Sequence, residues 1–424
     1  MGCVELELPF GRTTLRAAVP RQSFMGILTA NEGDNVSADS RDENALIRDA
    51  LAHPIGSPCL RALARPGQRV AIISSDLTRP CPSDRILPLV LDELSAAGVR
   101  DADVTIIMAL GLHRAMTDQE IAQAVGQETC SRVHVLNHDP HNVVRLGVTS
   151  RGTPVELFGP VVDVDLRVCL GNLELHYFAG YSGGVKAVLP GCASETTVRA
   201  NHAMMTNPGA VAGRIEGNPV RADIEEGVAL VGVDFILNVL VDDRKRIVGT
   251  VAGDPIAAHR AGCEQVARRG KVSIPHRADV VVVSAGGYPK DINLYQAQKA
   301  LDNAAHAVRE GGAIVLVAEC PEGLGNRTFE QWMSAAHKPD DLLARIKHEF
   351  ALGGHKAAAI AAVLKRAQVY LMSALPQEAV RICGMTPIDS LSDGISAALG
   401  SAGPEATLLA IPNGGSVLPS VSEE

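Results

Sequence analysis

The chain has 424 residues, 46 % of them hydrophobic and 21 % charged, and a formal net charge of −9. That length exceeds what one hydrophobic core supports, so two domains are expected. The acidic balance argues against a nucleic-acid partner or an anionic membrane surface. No apolar run reaches the ~18 residues a membrane span needs.

The N-terminus MGCVELELPFGRTTL lacks the basic start and apolar run of a signal peptide. The nine cysteines form no C-x-x-C pair, the pattern of reduced thiols rather than of a disulfide frame or a zinc site. A cytoplasmic protein is expected. Aromatic residues are only 3 %, so Leu, Val, Ile and Ala must fill the cores.

Short β-branched apolar runs predict buried parallel strands at Arg69–Ser75, Asp103–Leu110, Val133–Asn137 and Asp165–Gly171. Between them, Ser83–Ala97 carries Ile86, Leu87, Val90, Leu91 and Leu94 at helical spacing. Thr117 and Glu120 form a capping box that opens another helix. A second series follows the basic, polar stretch Arg268–Arg277. It predicts strands at Ala278–Gly287, Ala313–Cys320, Ala367–Leu375 and Ala406–Pro412, with a helix from about Asn293 to Arg309. This alternation implies an α/β protein whose parallel-rich sheets are flanked by helices. The expected organisation is an N-terminal α/β domain over residues 1–270, a Rossmann-like domain over 271–415 and a tail over 416–424.

Ligands of open α/β sheets bind at the carboxyl ends of the strands. Four polar clusters fall there. Asp76, Thr78 and Arg79 follow the first strand and suit anion or hydroxyl binding, though an Asx-turn with a solvated arginine reads equally well. His113 follows the second strand and is a candidate general base, or a structural histidine. The run HYFAGYSGGVKAVLPGCASETTVRANH sets His176, Lys186 and His202 around a glycine-rich loop. Gly180, Gly183 and Gly184 there would let the backbone approach a ligand closely. Tyr295, Gln296 and Lys299 share one face near a helix start and suit a small carboxylate, or simply an exposed amphipathic face. There is no G-x-G-x-x-G after a strand, no Walker A lysine, no G-x-S-x-G and no H-E-x-x-H.

Five blocks together resemble the nickel-pincer nucleotide lactate racemase family of 2-hydroxyacid racemases and epimerases. They are SDLTRP (Ser75–Pro80), GLHR (Gly111–Arg114), HYFAGYSGGVKAVLPG (His176–Gly191), NH (Asn201–His202) and YPKDINLYQAQKALDN (Tyr288–Asn303). The resemblance implies two α/β domains with the active site in the cleft between them. It implies a pyridinium-derived mononucleotide, a nickel-pincer nucleotide, attached covalently at Lys186, with His202 as nickel ligand. By the same resemblance Asp76, Thr78, Arg79, Gly183 and Gly184 hold the cofactor. His113 and His176 are the acid/base pair. Arg79, Tyr295, Gln296 and Lys299 position the substrate. Proteins that build the cofactor are the implied partners for loading, beside a small 2-hydroxy acid.

The implied reaction is an isomerisation by reversible hydride transfer through a 2-keto acid. The same cofactor could serve a sugar-acid epimerase, or a non-catalytic protein that only binds the nucleotide. A carrier would need Lys186 and His202 but neither His113 nor His176. Two departures from lactate-selective members stand out. Leu175 precedes His176 where a proline is common, and Ala357–Ala359 are small where a large aromatic occurs. The second favours a wider pocket and a longer 2-hydroxy acid.

Overall fold

A computed structural model describes residues 2–30, 42–242 and 245–422. The chain divides into two compact units, one of residues 34–267 and one joining residues 1–33 to 268–424.

Among the described residues, the 34–267 unit is built on a six-stranded sheet. Its spatial order is Ile247–Gly253, Phe235–Val241, Leu166–Asn172, Val70–Ser75, Val104–Ala109 and His134–Asn137. All neighbours are parallel except the first pair. The Val70 strand is buried from Val70 to Ser74, as its unbroken apolar run dictates. The helix Ser83–Ala96 lays Ile86, Leu87, Val90 and Leu94 into one core with Ile72, Ile106 and Val168. The expected capping box closes at Thr117 and Glu120 and starts the helix Asp118–Val125.

The other unit holds a second six-stranded sheet, all parallel. Its order is Thr386–Ile388, Ala367–Met372, Val308–Val317, Ala278–Ser284, Leu408–Ile411 and Phe24–Ile27. The two parallel-rich sheets flanked by helices are the α/β class expected.

Three boundaries differ from expectation. The first 33 residues do not join the unit that follows them in sequence. Phe24–Ile27 adds an edge strand beside Leu408–Ile411, and the hairpin Cys3–Phe10 with Thr13–Pro20 buries Leu6, Leu8, Ala17 and Val19 against Val280, Val282 and Val315. Asp291 ties that hairpin down, its Oδ2 accepting from Gly11 N (2.6 Å) and Glu319 N (3.1 Å). Second, the segment expected as a tail contains the strand Leu418–Val421, paired in parallel with Lys271–Ile274. Third, the helix expected to reach Arg309 stops at Ala304, because Val308 already pairs with Ala278 in the sheet.

The lone tryptophan, Trp332, is 2 % exposed on the helix Arg327–Ala335 and packs over the start of the helix Gly354–Leu364. A Cβ at Gly354 would come within 2.5 Å of its ring. Gly354→Ala should therefore overpack this contact and destabilise the unit by about 1–3 kcal/mol. Chemical denaturation followed by the fluorescence of the single tryptophan checks this. An unchanged midpoint would show that the two helices part at no cost.

Candidate functional site

Three polar clusters of the 34–267 unit sit at the carboxyl edge of its sheet because adjacent parallel strands end there. Asp76 directly follows the Val70 strand and is 7 % exposed. Its Oδ1 accepts from the Thr78 amide (3.0 Å) and the Thr78 hydroxyl (2.6 Å), which is the expected Asx-turn. Its Oδ2 pairs with Nδ1 of His113, carried by the loop after the neighbouring strand Val104–Ala109. Burial pushes the Asp76 carboxyl up, but the hydrogen bonds from His113 and Thr78 and the nearby Arg79 outweigh it and hold the group below its ordinary range. A carboxylate on Nδ1 leaves Nε2 of His113 as the basic nitrogen. Asp76 thus orients His113 directly, which sequence spacing did not reveal. Thr78 and Arg79 are exposed on the same turn.

His176 lies on the short strand Leu175–His176, paired with Gly180–Tyr181. Its Nδ1 accepts from the Ala179 amide at 3.3 Å, which places the ring proton on Nε2. That Nε2 is 3.1 Å from Nζ of Lys186. An Nε2–H can donate to the amine only if the amine is uncharged. The electrostatics agree. Burial first, then the charges of Arg79 and Arg221, hold Lys186 well below its ordinary 10.5. Burial likewise pushes His176 far down. Both groups are thus biased toward their uncharged forms. Phe178 packs edge-on to His176 (4.6 Å between centroids) and to His202 (4.9 Å), so the two histidines flank one aromatic ring. His202 is half-buried in the last turn of the helix Glu195–Ala203.

The loop that presents Lys186 is pinned from inside by three buried side chains. Arg221 donates to the Tyr181 carbonyl. His259 Nε2 donates to the Ser182 carbonyl at 2.9 Å. Asn238 Oδ1 accepts from the Gly184 amide at 2.7 Å. Gly183 and Gly184 have φ of +69° and +61°. A Cβ at Gly183 would meet Leu173 at 2.7 Å, and one at Gly184 would meet the His259 ring at 2.7 Å. The absence of side chains at these glycines is what lets the loop pack this closely on the protein.

The other unit gathers Tyr295, Gln296 and Lys299 on the first turns of the helix Leu294–Ala304, capped by Asn293 on the Gln296 amide (3.0 Å). Gln296 and Lys299 are exposed and Tyr295 is half-buried. Lys356 was not foreseen. It is 5 % exposed, its Nζ donates to the Tyr295 carbonyl at 2.6 Å, and it lies 4.2 Å over the Tyr295 ring. Ala357, Ala358 and Ala359, on the same helix, are buried in packing against neighbouring helices of their own unit.

Comparison with known proteins identifies relatives over nearly the whole chain. Residues 10–213 match the family model for the lactate racemase N-terminal domain, and residues 274–419 match that for the lactate racemase C-terminal domain. The chain is 34 % identical over 423 residues to a lactate racemase of Thermoanaerobacterium thermosaccharolyticum, covering 97 % of this chain and 98 % of that one. It is 33 % identical over 345 residues to a lactate racemase of Lactiplantibacillus plantarum, covering 80 % of each. The solved structure of the lactate racemase apoprotein from T. thermosaccharolyticum superimposes with a TM-score of 0.89 at 33 % identity, over 98 % of this chain and 100 % of that one.

An uncharged Lys186 should be a good nucleophile near neutral pH. Trace labelling of the unloaded protein with acetic anhydride, read by peptide mass across a pH series, should give Lys186 a midpoint far below that of exposed lysines. A midpoint near 10.5 would show an ordinary ammonium.

Proposed function

The chain belongs to the lactate racemase family, and from that premise we propose that it interconverts the enantiomers of lactate on a nickel-pincer nucleotide held at Lys186. The observation that carries this reading is the presence of two differently built histidine pairs in one unit, Asp76–His113 and Lys186–His176. A racemase needs a proton acceptor for each hand of its substrate, so two such histidines have a use. A protein that merely carried the nucleotide would have no use for the Asp76–His113 pair.

The residues present fit the cofactor. Lys186 offers an amine that burial holds well below its ordinary range, favouring the uncharged form that can bond to a thiocarboxyl carbon. Among the described residues no group of three or more His, Cys, Asp or Glu is arranged to hold a metal. Nickel on His202 would therefore take its remaining donors from the pincer, a set that suits a square-planar ion. When bound, that group supplies reversible acceptance of the substrate's α-hydrogen as hydride, leaving a 2-keto acid in the site.

The chain's own residues do the rest. His113, aligned by Asp76, takes the hydroxyl proton at Nε2 for one enantiomer and returns it for the other. His176 would perform the reciprocal task at Nε2 for the other enantiomer in its Nδ1–H tautomer, the single ring proton having moved from Nε2 to Nδ1. Proton transfer by such a positioned group contributes about 10²–10⁴-fold. Arg79, on the same turn as Asp76, binds and orients the carboxylate while the planar keto acid turns over. Thr78 and the loop Gly183–Gly184 border the nucleotide. The buried packing of Ala357–Ala359 accounts for their small size, so lactate is the substrate proposed.

No described helix is long and apolar enough to cross a membrane. We place the protein in the cytoplasm, where cofactor-building proteins would load it.

The test is a chiral assay for D- and L-lactate on protein produced together with those cofactor-building partners. Wild-type protein should interconvert both hands, and Lys186→Ala should lose both turnover and the mass added at Lys186. His113→Asn and His176→Asn should each lower kcat by about 10²-fold or more. Asp76→Asn should cost less than His113→Asn, since it misaligns the base without removing it. Protein shown to carry nickel and the Lys186 adduct, yet silent on lactate and on longer 2-hydroxy acids, would contradict the proposal.

A further inference from the structure

Behind His202 lies a buried chain of hydrogen bonds that sequence spacing does not reveal. Nδ1 of His202 is 3.1 Å from Oδ1 of Asn201. Which end of the Asn201 amide faces the ring is decided on its other side. Nδ2 of Asn201 donates to Asp223 Oδ2 at 2.8 Å and to the Val220 carbonyl at 3.2 Å. A carboxylate and a carbonyl only accept, so the NH2 must face them and the oxygen must face His202.

Asp223 is itself held. Its Oδ1 accepts from the Thr149 hydroxyl at 2.5 Å and its Oδ2 from the Thr153 hydroxyl at 2.8 Å. Asn201 and Asp223 are both 0 % exposed, so bulk water does not compete for these groups. Reversing the Asn201 amide would set two acceptors against each other at Asp223 and leave a buried NH2 against the ring, a costly arrangement.

We propose that Asp223 and Asn201 are positioning residues that lock His202 as its Nδ1–H tautomer, so that Nε2 carries the lone pair a metal requires. The inference rests on the reading of His202 as the nickel ligand. The partner chosen for each histidine fits its task. His113 receives a carboxylate directly, which orients the ring with Nε2 outward. His202 receives a neutral amide oxygen, which fixes the ring without setting a negative charge beside it, while the charge of Asp223 stays one residue further back. Second-layer partners of metal-bound histidines usually have this orienting role.

The tautomer is measurable in the unloaded, unmutated protein. Two-bond ¹H–¹⁵N correlations at pH 8 on ¹⁵N-histidine-labelled chain, with His202 assigned from His202→Gln, should place the proton on Nδ1. A proton on Nε2 would overturn the inference whatever the protein's activity. In protein produced with the cofactor-building partners, Asn201→Ala should hold at least about tenfold less nickel per Lys186 adduct, from metal analysis against intact mass. Wild-type nickel content in Asn201→Ala would also overturn it. A wild-type chain without the Lys186 adduct would instead count against the cofactor reading, and the tautomer measurement would still decide this one.

Discussion

Burial of the Lys186 amine against the His176 imidazole is the contact on which the site depends. A charged amine there would face two nearby arginine charges in a place shielded from water. Burial and those charges hold the amine well below its ordinary range, which favours its uncharged, nucleophilic form. The cost of desolvation becomes the source of reactivity.

That contact survives only if the loop carrying Lys186 cannot relax. Three buried polar side chains from three separate elements hold its backbone: Arg221, His259 and Asn238. Each removes a carbonyl or amide that would otherwise be buried without a partner, a loss worth about 1–3 kcal/mol apiece. The glycines at 183 and 184 permit the close packing these bonds demand. The other unit repeats the strategy in miniature, with Lys356 pinning the Tyr295 carbonyl and covering its ring. In both units a buried cation fixes backbone beside a residue assigned to the chemistry.

Much of this was legible in the sequence. The apolar runs at Val70–Ser75, Val104–Ala109 and Ala278–Ser284 announce buried strands, and the polar residues just after them fall at the sheet edges. The capping box at Thr117 and Glu120 is purely local and forms as read. What escaped is long-range. Asn238 reaches Gly184 across 54 residues, His259 reaches Ser182 across 77, and Lys356 reaches Tyr295 across 61. No local period encodes such pairings. The N-terminal edge strand Phe24–Ile27 escaped for the same reason, since its sheet partner Leu408–Ile411 lies near the other end of the chain. Asp76 was singled out, but its partner His113 could be paired with it only once the two strand ends were known to be neighbours.

The central claim is that the α-hydrogen leaves lactate as hydride and returns to the same carbon, with the histidines handling only the hydroxyl proton. The most direct measurement follows that hydrogen. Cofactor-loaded protein would be given L-lactate carrying deuterium at the α-carbon, in ordinary water, and the D-lactate formed would be analysed by mass. Retention of deuterium in the product is predicted, because a sequestered hydride does not exchange with solvent. D-lactate carrying solvent hydrogen at that carbon would mean removal as a proton and would contradict the account.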